Sequence, residues 1–224
     1  MGYQFQFGWV AEYWPLILGG VAVTLQLILV GAVFGIALGI ACAWARALGP
    51  RWLRPVVSAY VELIRNTPFL IQLFFIFFGL PSLGVQMSEL QAANLAMIVN
   101  LGAYGCEIVR AGIQATPRGQ FEAGASLAMT RFETFRHVVL VPSLGRIWPA
   151  LSSQVVIVML GSAVVSQIGA EDLTYAASYI QSRNFRAFET YIASTIVYLA
   201  LAILIRKAMA LVGEAIVGRR AEAR

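Results

Sequence analysis

The sequence predicts an all-α integral membrane protein with about five transmembrane helices in a single domain spanning residues 1–224. Of its residues, 59% are hydrophobic and only 12% are charged, and the mean hydropathy is +0.76, which is far from the balance of a soluble domain. Five apolar segments are long enough to cross a hydrocarbon core of about 30 Å, which takes about 20 helical residues. They lie near residues 15–44, 56–80, 90–109, 148–169 and 191–212. We expect helices because a helix satisfies its own backbone hydrogen bonds in lipid.

The first span and the basic residues of the loops predict the orientation. The first span is too long for a signal-peptide core and no Lys or Arg precedes it, so we expect it to be retained. The first loop, the third loop and the C-terminal tail carry three, five and five basic residues, whereas the N-terminal segment, the second loop and the fourth loop carry none, none and two. Basic loops stay in the cytoplasm. The N-terminus is therefore predicted outside and the C-terminus in the cytoplasm.

The second span carries charged side chains. Glu62 and Arg65 are three residues apart, on one helical face. If the span begins near residue 56, Arg65 lies about 14 Å along it, near the bilayer middle. A charge at that depth is costly and usually functional. The alternative is that residues 56–65 lie along the cytoplasmic interface, where the two charges would form a solvated pair.

The same span is predicted to break at Pro68, next to the polar residues Asn66 and Thr67. Proline has no N–H to donate to the carbonyl of Ile64, so the helix should kink and leave that acceptor free. Broken helices with polar residues are how transporters build sites for polar solutes. Glu62, Arg65, Asn66 and Thr67 are therefore candidates for a solute pathway.

Polar residues also mark the third and fourth spans. Glu107 and Arg110, which follow Tyr104, are expected to form an interfacial ion pair three residues apart. In the fourth span, Gln154, Ser162 and Ser166 are separated by multiples of four residues and share a slowly drifting face. They are candidates either for solute contact or for close helix packing, and the residues alone leave both open.

A polar, charged stretch separates the third and fourth spans. Apolar residues recur with helical spacing from Phe121 to Val139, and Glu122, Arg131 and Glu133 fall off that face. This pattern predicts an amphipathic helix over residues 120–133. Because it would lie in the cytoplasm with an exposed polar face, it suits contact with a soluble protein and indicates a coupling element.

Several function classes find no support in the sequence. Cys42 and Cys106 lie in apolar spans without CxxC spacing, and His137 is the single histidine, so neither a disulfide nor a metal site is expected. No P-loop or GxGxxG motif is present, so ATP would have to be bound by another chain. The net charge of +5 is explained by the cytoplasmic loops and carries no nucleic-acid signature.

Three motifs in order give the chain a resemblance to a known family. They are Arg65-Asn66-Thr67-Pro68 followed by Gln72; Tyr104-x-x-Glu107-x-x-Arg110-x-x-Ile113; and Gly119-Gln120 with Glu122-Ala123-Gly124 and a downstream Leu-x-Pro. The last looks like the EAA loop of ABC importer permeases, and the surroundings look like the branch that imports polar amino acids. Gly124 stands where the family has a second Ala, Ala128 replaces its Gly, and Pro142 comes one residue late.

The resemblance implies the fold and partners of a type I ABC importer. These partners are a second permease subunit (the same or a paralogue), two cytoplasmic ATP-binding subunits that hold ATP and Mg²⁺, an extracytoplasmic solute-binding protein and an amino-acid substrate. The location would be the bacterial inner membrane, with no cofactor in this chain. The predicted ATPase contacts are Glu122, Ala123, Gly124 and Ala128, and Gly124→Trp is predicted to abolish coupling while leaving the fold intact.

A self-sufficient channel or a small intramembrane enzyme is the alternative. A serine protease needs a base near its nucleophile, but the single histidine lies in a cytoplasmic loop, far along the chain from Ser162. A channel would not need the amphipathic helix. Copurification with an ATPase distinguishes the two classes.

Overall fold

The computed structural model describes residues 4–218, without the side chains of Val141 and residues 216–218. Three of the basic residues that predict a cytoplasmic tail, Arg219, Arg220 and Arg224, lie outside the described residues. The described part is helical and contains no strand. Its helices are α1 (Trp9–Glu12), α2 (Trp14–Ala47), α3 (Leu53–Arg65), α4 (Phe69–Phe74), α5 (Glu89–Gln114), α6 (Arg118–Ser126), α7 (Arg131–Glu133), α8 (Leu140–Gly161), α9 (Leu173–Asn184) and α10 (Ala187–Gly218).

Four further helical segments continue these helices. A π-helix at Phe75–Gly79 and a 3₁₀ helix at Leu80–Leu83 extend α4, a π-helix at Thr134–Val139 joins α7 to α8, and a 3₁₀ helix at Ser162–Ile168 extends α8. Within residues 4–218, four helices are long and apolar enough to cross a membrane, and a fifth candidate is the pair formed by Leu53–Arg65 and Phe69–Leu83. The predicted all-α membrane fold with about five spans is confirmed.

Helix α5 stands at the centre of the bundle and packs against α2, α3 and α8. Its contact with α2 is close because Gly31, Gly35 and Gly39 recur every four residues on the facing side. A Cβ added at Gly39 would come within 2.9 Å of the carbonyl carbon of Gly105, and one at Gly35 within 2.9 Å of Leu101 Cβ. Small residues let helix backbones approach in this way inside lipid.

The second span breaks at Pro68, as predicted. Helix α3 ends at Arg65, α4 begins at Phe69, and the two directions differ by 112°. The freed carbonyl of Ile64 accepts a hydrogen bond from Gln72 Nε2 at 2.7 Å, and Gln72 Oε1 accepts one from Asn100 Nδ2 at 3.0 Å. A side chain thus replaces the backbone donor that proline lacks, and α5 holds that side chain in place.

The bend removes the assumption on which the depth expected for Arg65 rested. That depth assumed one straight span over residues 56–80, but distance along α3 no longer measures distance across the membrane. Helix α3 buries Val57, Val61 and Ile64 on one side. It exposes Arg54, Glu62 and Arg65 on the other. Such a helix suits the membrane interface. The pathway and interfacial interpretations of residues 56–65 therefore both stay predictions.

The amphipathic helix predicted over residues 120–133 is divided in two. Helix α6 ends at Ser126, and α7 begins at Arg131. Between them, Ala128 has a φ of 56°. The N–H of Ala128 donates to the carbonyl of Ala125, and the N–H of Met129 donates to that of Gly124. This pair of bonds is a Schellman motif, which ends a helix through a left-handed residue. The apolar periodicity carried no sign of this stop because alanine, not glycine, occupies the turn.

Candidate functional site

A cluster of charges joins α2, α3 and α5 at one end of the bundle. The carboxylate of Glu107 on α5 accepts hydrogen bonds from Arg110 at 2.6 Å and from Arg46 in the last turn of α2. Arg65, at the end of α3, lies 3.8 Å from the same carboxylate. Its guanidinium also lies 5.4 Å from the ring centroid of Tyr104. One acidic group therefore holds three arginines, and the cluster keeps a positive charge.

The ion pairs of this cluster agree only in part with those expected from the sequence. The pair between Glu107 and Arg110 is confirmed. Arg65 pairs with Glu107 instead of Glu62, and Glu62 is exposed and makes no ion pair within residues 4–218. Sequence reasoning missed Arg46. The sequence did contain an indication of Arg46. It is an arginine at the end of an apolar span, and it falls on the side of the membrane where Arg110 is also expected.

The bend after α3 exposes a small set of polar groups beside an apolar cavity. Asn66 is exposed and Thr67 is half-buried. The Thr67 hydroxyl accepts from Gln72 Nε2 at 2.9 Å. Together Thr67 and Gln72 are the polar residues lining a cavity of about 430 Å³, whose other walls are Leu63, Ile64, Ile71, Phe75, Ile76, Leu95 and Val99. The bend thus combines polar groups with a space of ligand size.

The candidate residues of the fourth span lie in α8 and the 3₁₀ segment after it, which packs against α4. Gln154 is half-buried on α8. Ser162 is fully buried and donates to the carbonyl of Met159 at 2.7 Å, and Ser166 donates to that of Ala163 at 2.9 Å. Both hydroxyls are therefore bonded to their own helix in this structure. The side chain of Gln154, in contrast, makes no hydrogen bond to a carbonyl of its own helix within the described residues.

The predicted coupling residues separate into an exposed set and a buried one. Glu122, Ala123 and Ala128 are exposed, whereas Gly124 is buried. A Cβ added to Gly124 would lie 2.7 Å from both Cγ2 and Oγ1 of Thr134. Gly124 therefore serves the contact between α6 and the π-helix of residues 134–139. The expectation that Gly124→Trp leaves the fold intact is wrong, because the added ring would meet this contact first.

A capping box fixes the start of α7. The backbone N–H and the hydroxyl of Thr130 both donate to Glu133 at 2.8 Å, and the N–H of Glu133 donates back to Thr130 Oγ1 at 3.3 Å. These bonds to the carboxylate hold the pKa of Glu133 below its ordinary value. The box makes the segment between α6 and α8 locally rigid.

A second polar centre holds α9 against two spans, and sequence reasoning missed it. Asp172 is fully buried. It caps α9 by accepting from the N–H of Tyr175 at 2.8 Å, and it accepts from Tyr198 on α10 at 3.1 Å. Next to it, the N–H of Leu173 donates to Thr24 on α2 at 3.2 Å. Burial raises the pKa of Asp172 to about 6. The sequence places Asp172 beside Glu171 in the loop between the fourth and fifth spans, where an acid is ordinarily solvated, so the residues alone gave no indication of its burial.

The described residues contain no group of three or more His, Cys, Asp or Glu side chains that could hold a metal ion. Cys42 and Cys106 are buried free thiols.

Comparison with known proteins shows the class to which this arrangement belongs. Residues 35–217 match the model of the binding-protein-dependent transport system inner membrane component. The L-cystine transport system permease protein TcyB of Bacillus subtilis (strain 168) is 35% identical over 87% of this chain and 83% of that protein. The glutamine transport system permease protein GlnP of Escherichia coli (strain K12) is 33% identical over 89% of this chain and 93% of that protein.

Solved structures agree with the sequence relatives. The structure of an amino acid ABC transporter with histidines superposes with a TM-score of 0.83 at 35% identity, covering 95% of this chain and all of that one. An inward-facing structure of the MetNI methionine ABC transporter, at 23% identity and a TM-score of 0.75, shares the fold. A bundle of this kind is a multi-pass transport component. The chain belongs to the family of binding-protein-dependent transport system inner membrane components.

Proposed function

We propose that this chain is the permease subunit of an ATP-driven, binding-protein-dependent importer of polar amino acids. The observation that carries the proposal is the exposed helix α6, which lies between two spans and packs through Gly124 onto the segment leading into α8. The names of the relatives, which include permeases for L-cystine, glutamine and arginine, support an amino-acid substrate. The sequence carries no P-loop or GxGxxG motif, and we therefore assign ATP hydrolysis to a separate ATPase subunit.

Helix α6 transmits motion from the ATPase to the spans. Its exposed residues Glu122 and Ala123 contact the ATPase, and Glu122 supplies the polar contact. The close contact between Gly124 and Thr134 passes a displacement of α6 to residues 134–139. Those residues continue without a break into α8, which packs on the central helix α5. ATP binding and hydrolysis in the partner would thus alternate access to the pathway.

The solute pathway passes the bend between α3 and α4. Arg65 suits an amino-acid carboxylate because its guanidinium donates two parallel hydrogen bonds. At 3.8 Å, its contact with Glu107 is the longest in the cluster, and Glu107 keeps Arg46 and Arg110 as partners when Arg65 turns to a solute. Glu62 offers a negative charge for the ammonium group, and Asn66 and Thr67 add polar groups at the bend. Gln154, with Ser162 and Ser166 farther along, forms the part of the pathway contributed by α8 and its extension.

The complete importer contains partners of four kinds. They are a second permease, either a copy or a paralogue; two cytoplasmic ATP-binding subunits, which bind ATP and Mg²⁺; an extracytoplasmic solute-binding protein; and the surrounding lipid of a bacterial inner membrane. The N-terminus lies outside and α6 in the cytoplasm, as the distribution of basic residues predicts.

Copurification tests the proposal. The tagged chain, solubilised from its native membrane, should bring an ATP-binding subunit whose hydrolysis rate rises when its solute-binding protein is added with substrate. Apo binding protein is the matched control and should stimulate less. A chain that purifies without an ATPase and conducts ions or solutes by itself would replace the proposal with the channel alternative.

A further inference from the structure

A groove runs between the last turns of α2 and the segment that leads into α8. Its volume is about 350 Å³, and its walls include Ala37, Ala41 and Trp44 of α2 together with Phe132, Phe135 and Arg136. This volume falls in the range of about 300–1,000 Å³ that is typical of ligand pockets. Phe132 meets Trp44 edge-on with ring centroids 5.7 Å apart, so an aromatic pair forms one wall of the groove.

Two polar groups at this apolar groove lack partners within residues 4–218. Arg136 lines the groove and is exposed, and its guanidinium makes no ion pair or hydrogen bond with the described residues. The indole Nε1–H of Trp44 is buried and has no acceptor there. The nearby carboxylate of Glu133 already accepts two hydrogen bonds from Thr130. Among the described residues, the groove therefore offers an unpaired cation beside apolar walls.

The position of the groove indicates what fills it. Helix α2 ends at Ala47 and α8 begins at Leu140, so Trp44 and Arg136 lie where two membrane spans end on the same side. Apolar walls at that level face acyl chains, and a cation and a tryptophan face the headgroup region. A second copy of this chain would bring loops that are themselves strongly basic at this end, which opposes a contact through Arg136.

We propose that this groove binds one anionic phospholipid. An acyl chain lies along Ala37 and Ala41, and the phosphate pairs with Arg136. The lipid bridges α2 to the segment that connects α6 with α8, and it thereby holds that segment at the membrane surface. This site is independent of the substrate and of the solute pathway.

Lipid retention tests the site. The full-length chain, with the subunits that purify with it, is placed in nanodiscs containing equal amounts of phosphatidylglycerol and phosphatidylethanolamine, and the lipids it retains are counted by native mass spectrometry. We expect one phosphatidylglycerol per chain in preference to phosphatidylethanolamine. Arg136→Gln should weaken this retention about fivefold, which corresponds to one basic residue at a membrane surface. Ala41→Phe, which fills the groove, should also weaken it.

Matched controls use exposed residues elsewhere. Arg54→Gln removes a charge from the start of α3, and Ala22→Phe makes the same enlargement at an exposed position in the N-terminal half of α2, away from the groove. Both should retain phosphatidylglycerol like the wild type. Equal retention of the two lipids, or wild-type retention in Arg136→Gln or Ala41→Phe, would overturn the proposal. Disulfide-linked dimers of Ala37→Cys in membranes would overturn it in favour of a second copy in the groove.

Discussion

Arg65 is the residue whose role the structure changes most. Its neighbour Glu62 is not its partner, and Glu107 holds it instead. We expect Arg65→Ala to slow uptake by about 10-fold to 100-fold, because hydrogen bonds to charged groups contribute about 1.5–3 kcal/mol. Glu62→Ala should also slow uptake if it meets the ammonium group. Uptake and basal ATPase activity are measured on the same proteoliposomes.

The assembly should survive the loss of Arg65, because Glu107 retains Arg46 and Arg110. Arg54→Ala, which removes an exposed arginine at the start of the same helix, is the control and should import normally. Normal uptake in both Arg65→Ala and Glu62→Ala would show that the solute passes elsewhere, and Gln154 would be the next residue to test.

Ala128 carries backbone strain that a single substitution relieves. Its φ of 56° lies in the left-handed region, which costs an L-residue about 1–2 kcal/mol and glycine almost nothing. We therefore expect Ala128→Gly to stabilise the protein by about 0.5–1 kcal/mol. This gain is smaller than the strain that is relieved, because glycine loses more chain entropy on folding. Thermal unfolding in detergent measures the change. Ala123→Gly, in the interior of α6, should destabilise by a similar amount, and stabilisation by both substitutions would contradict this account.

Asp172 should make stability depend on pH. Its pKa is about 6 in the folded chain, above its ordinary value of 3.8, because burial disfavours the charged form. The folded state therefore keeps a proton that the unfolded state releases. Its contribution to stability is fully present below pH 3.8 and is lost as the pH rises through about 6.

Unfolding temperatures measured from pH 4.5 to 7 test this dependence on Asp172. The wild type should lose stability across that window, by an amount on the order of 3 kcal/mol at most. Asp172→Asn keeps Oδ1 as the acceptor for the N–H of Tyr175 and replaces Oδ2 by an amide NH₂, which donates to the Tyr198 hydroxyl instead of accepting from it. The amide does not titrate, so the profile of this variant should be flatter over the same range. Identical slopes for both proteins would show that other groups dominate.

At the scale of elements, helix α6 presents one face to a partner and another to its own chain. Ala123 is exposed, whereas Gly124 is packed on Thr134. Ala123→Trp should therefore abolish stimulation of the ATPase by loaded binding protein while the unfolding temperature stays unchanged. Gly124→Ala should instead lower the unfolding temperature, because overpacking costs about 1–3 kcal/mol.

The matched control for Ala123→Trp is Ser182→Trp, an equally large change at an exposed position of α9. It should leave coupling by α6 intact, as measured by ATPase activity with a tethered or saturating binding protein. If Ala123→Trp couples normally, α6 does not contact the ATPase through this face.

The sequence predicted those structural elements that depend on residues close together in the chain. It did not predict features that depend on contacts between residues far apart in the chain. Apolar length predicted the spans, and the missing N–H of Pro68 predicted the break. The 112° bend could not be predicted, because it depends on a hydrogen bond from Gln72 to the carbonyl of Ile64. Gln72 is in turn held by a hydrogen bond from Asn100, which lies on another helix. Likewise, the stop after α6 depends on a strained alanine that follows no sequence rule.

The candidate site was predicted only in part for the same reason. Charged residues in apolar spans marked Arg65 and Glu107 as important, but their pairing required knowing that α2, α3 and α5 meet at one end. The glycines at 31, 35 and 39 are spaced by four residues, a pattern that indicates close packing against another helix, but the sequence analysis did not predict this contact. Asp172 is a buried acid in what reads as a polar loop, and only the packing of α9 shows it.

At the scale of the whole molecule, two ends of one bundle carry different polar centres. One end holds the arginine cluster and helix α6, and the α9 end holds Asp172 with Thr24 and Tyr198. The bend lies between them, where Gln72 meets Asn100 near the middle of α5. The central helix α5 connects the arginine cluster to the glycine face of α2 and to α8. The exposed face of α6, with Glu122 and Ala123, thus lies at the same end of the bundle as Arg65. A movement of α6 and α8 could therefore change access of the solute to the bend.

Transport in proteoliposomes tests the central claim most directly. The chain is reconstituted with its copurified subunits, ATP is enclosed on the side of α6, and labelled polar amino acids are added outside with the solute-binding protein. We predict uptake of at least one amino acid that requires ATP, the binding protein and an intact Ala123 together. Uptake or conductance by this chain alone, without ATP or any other subunit, would contradict the account.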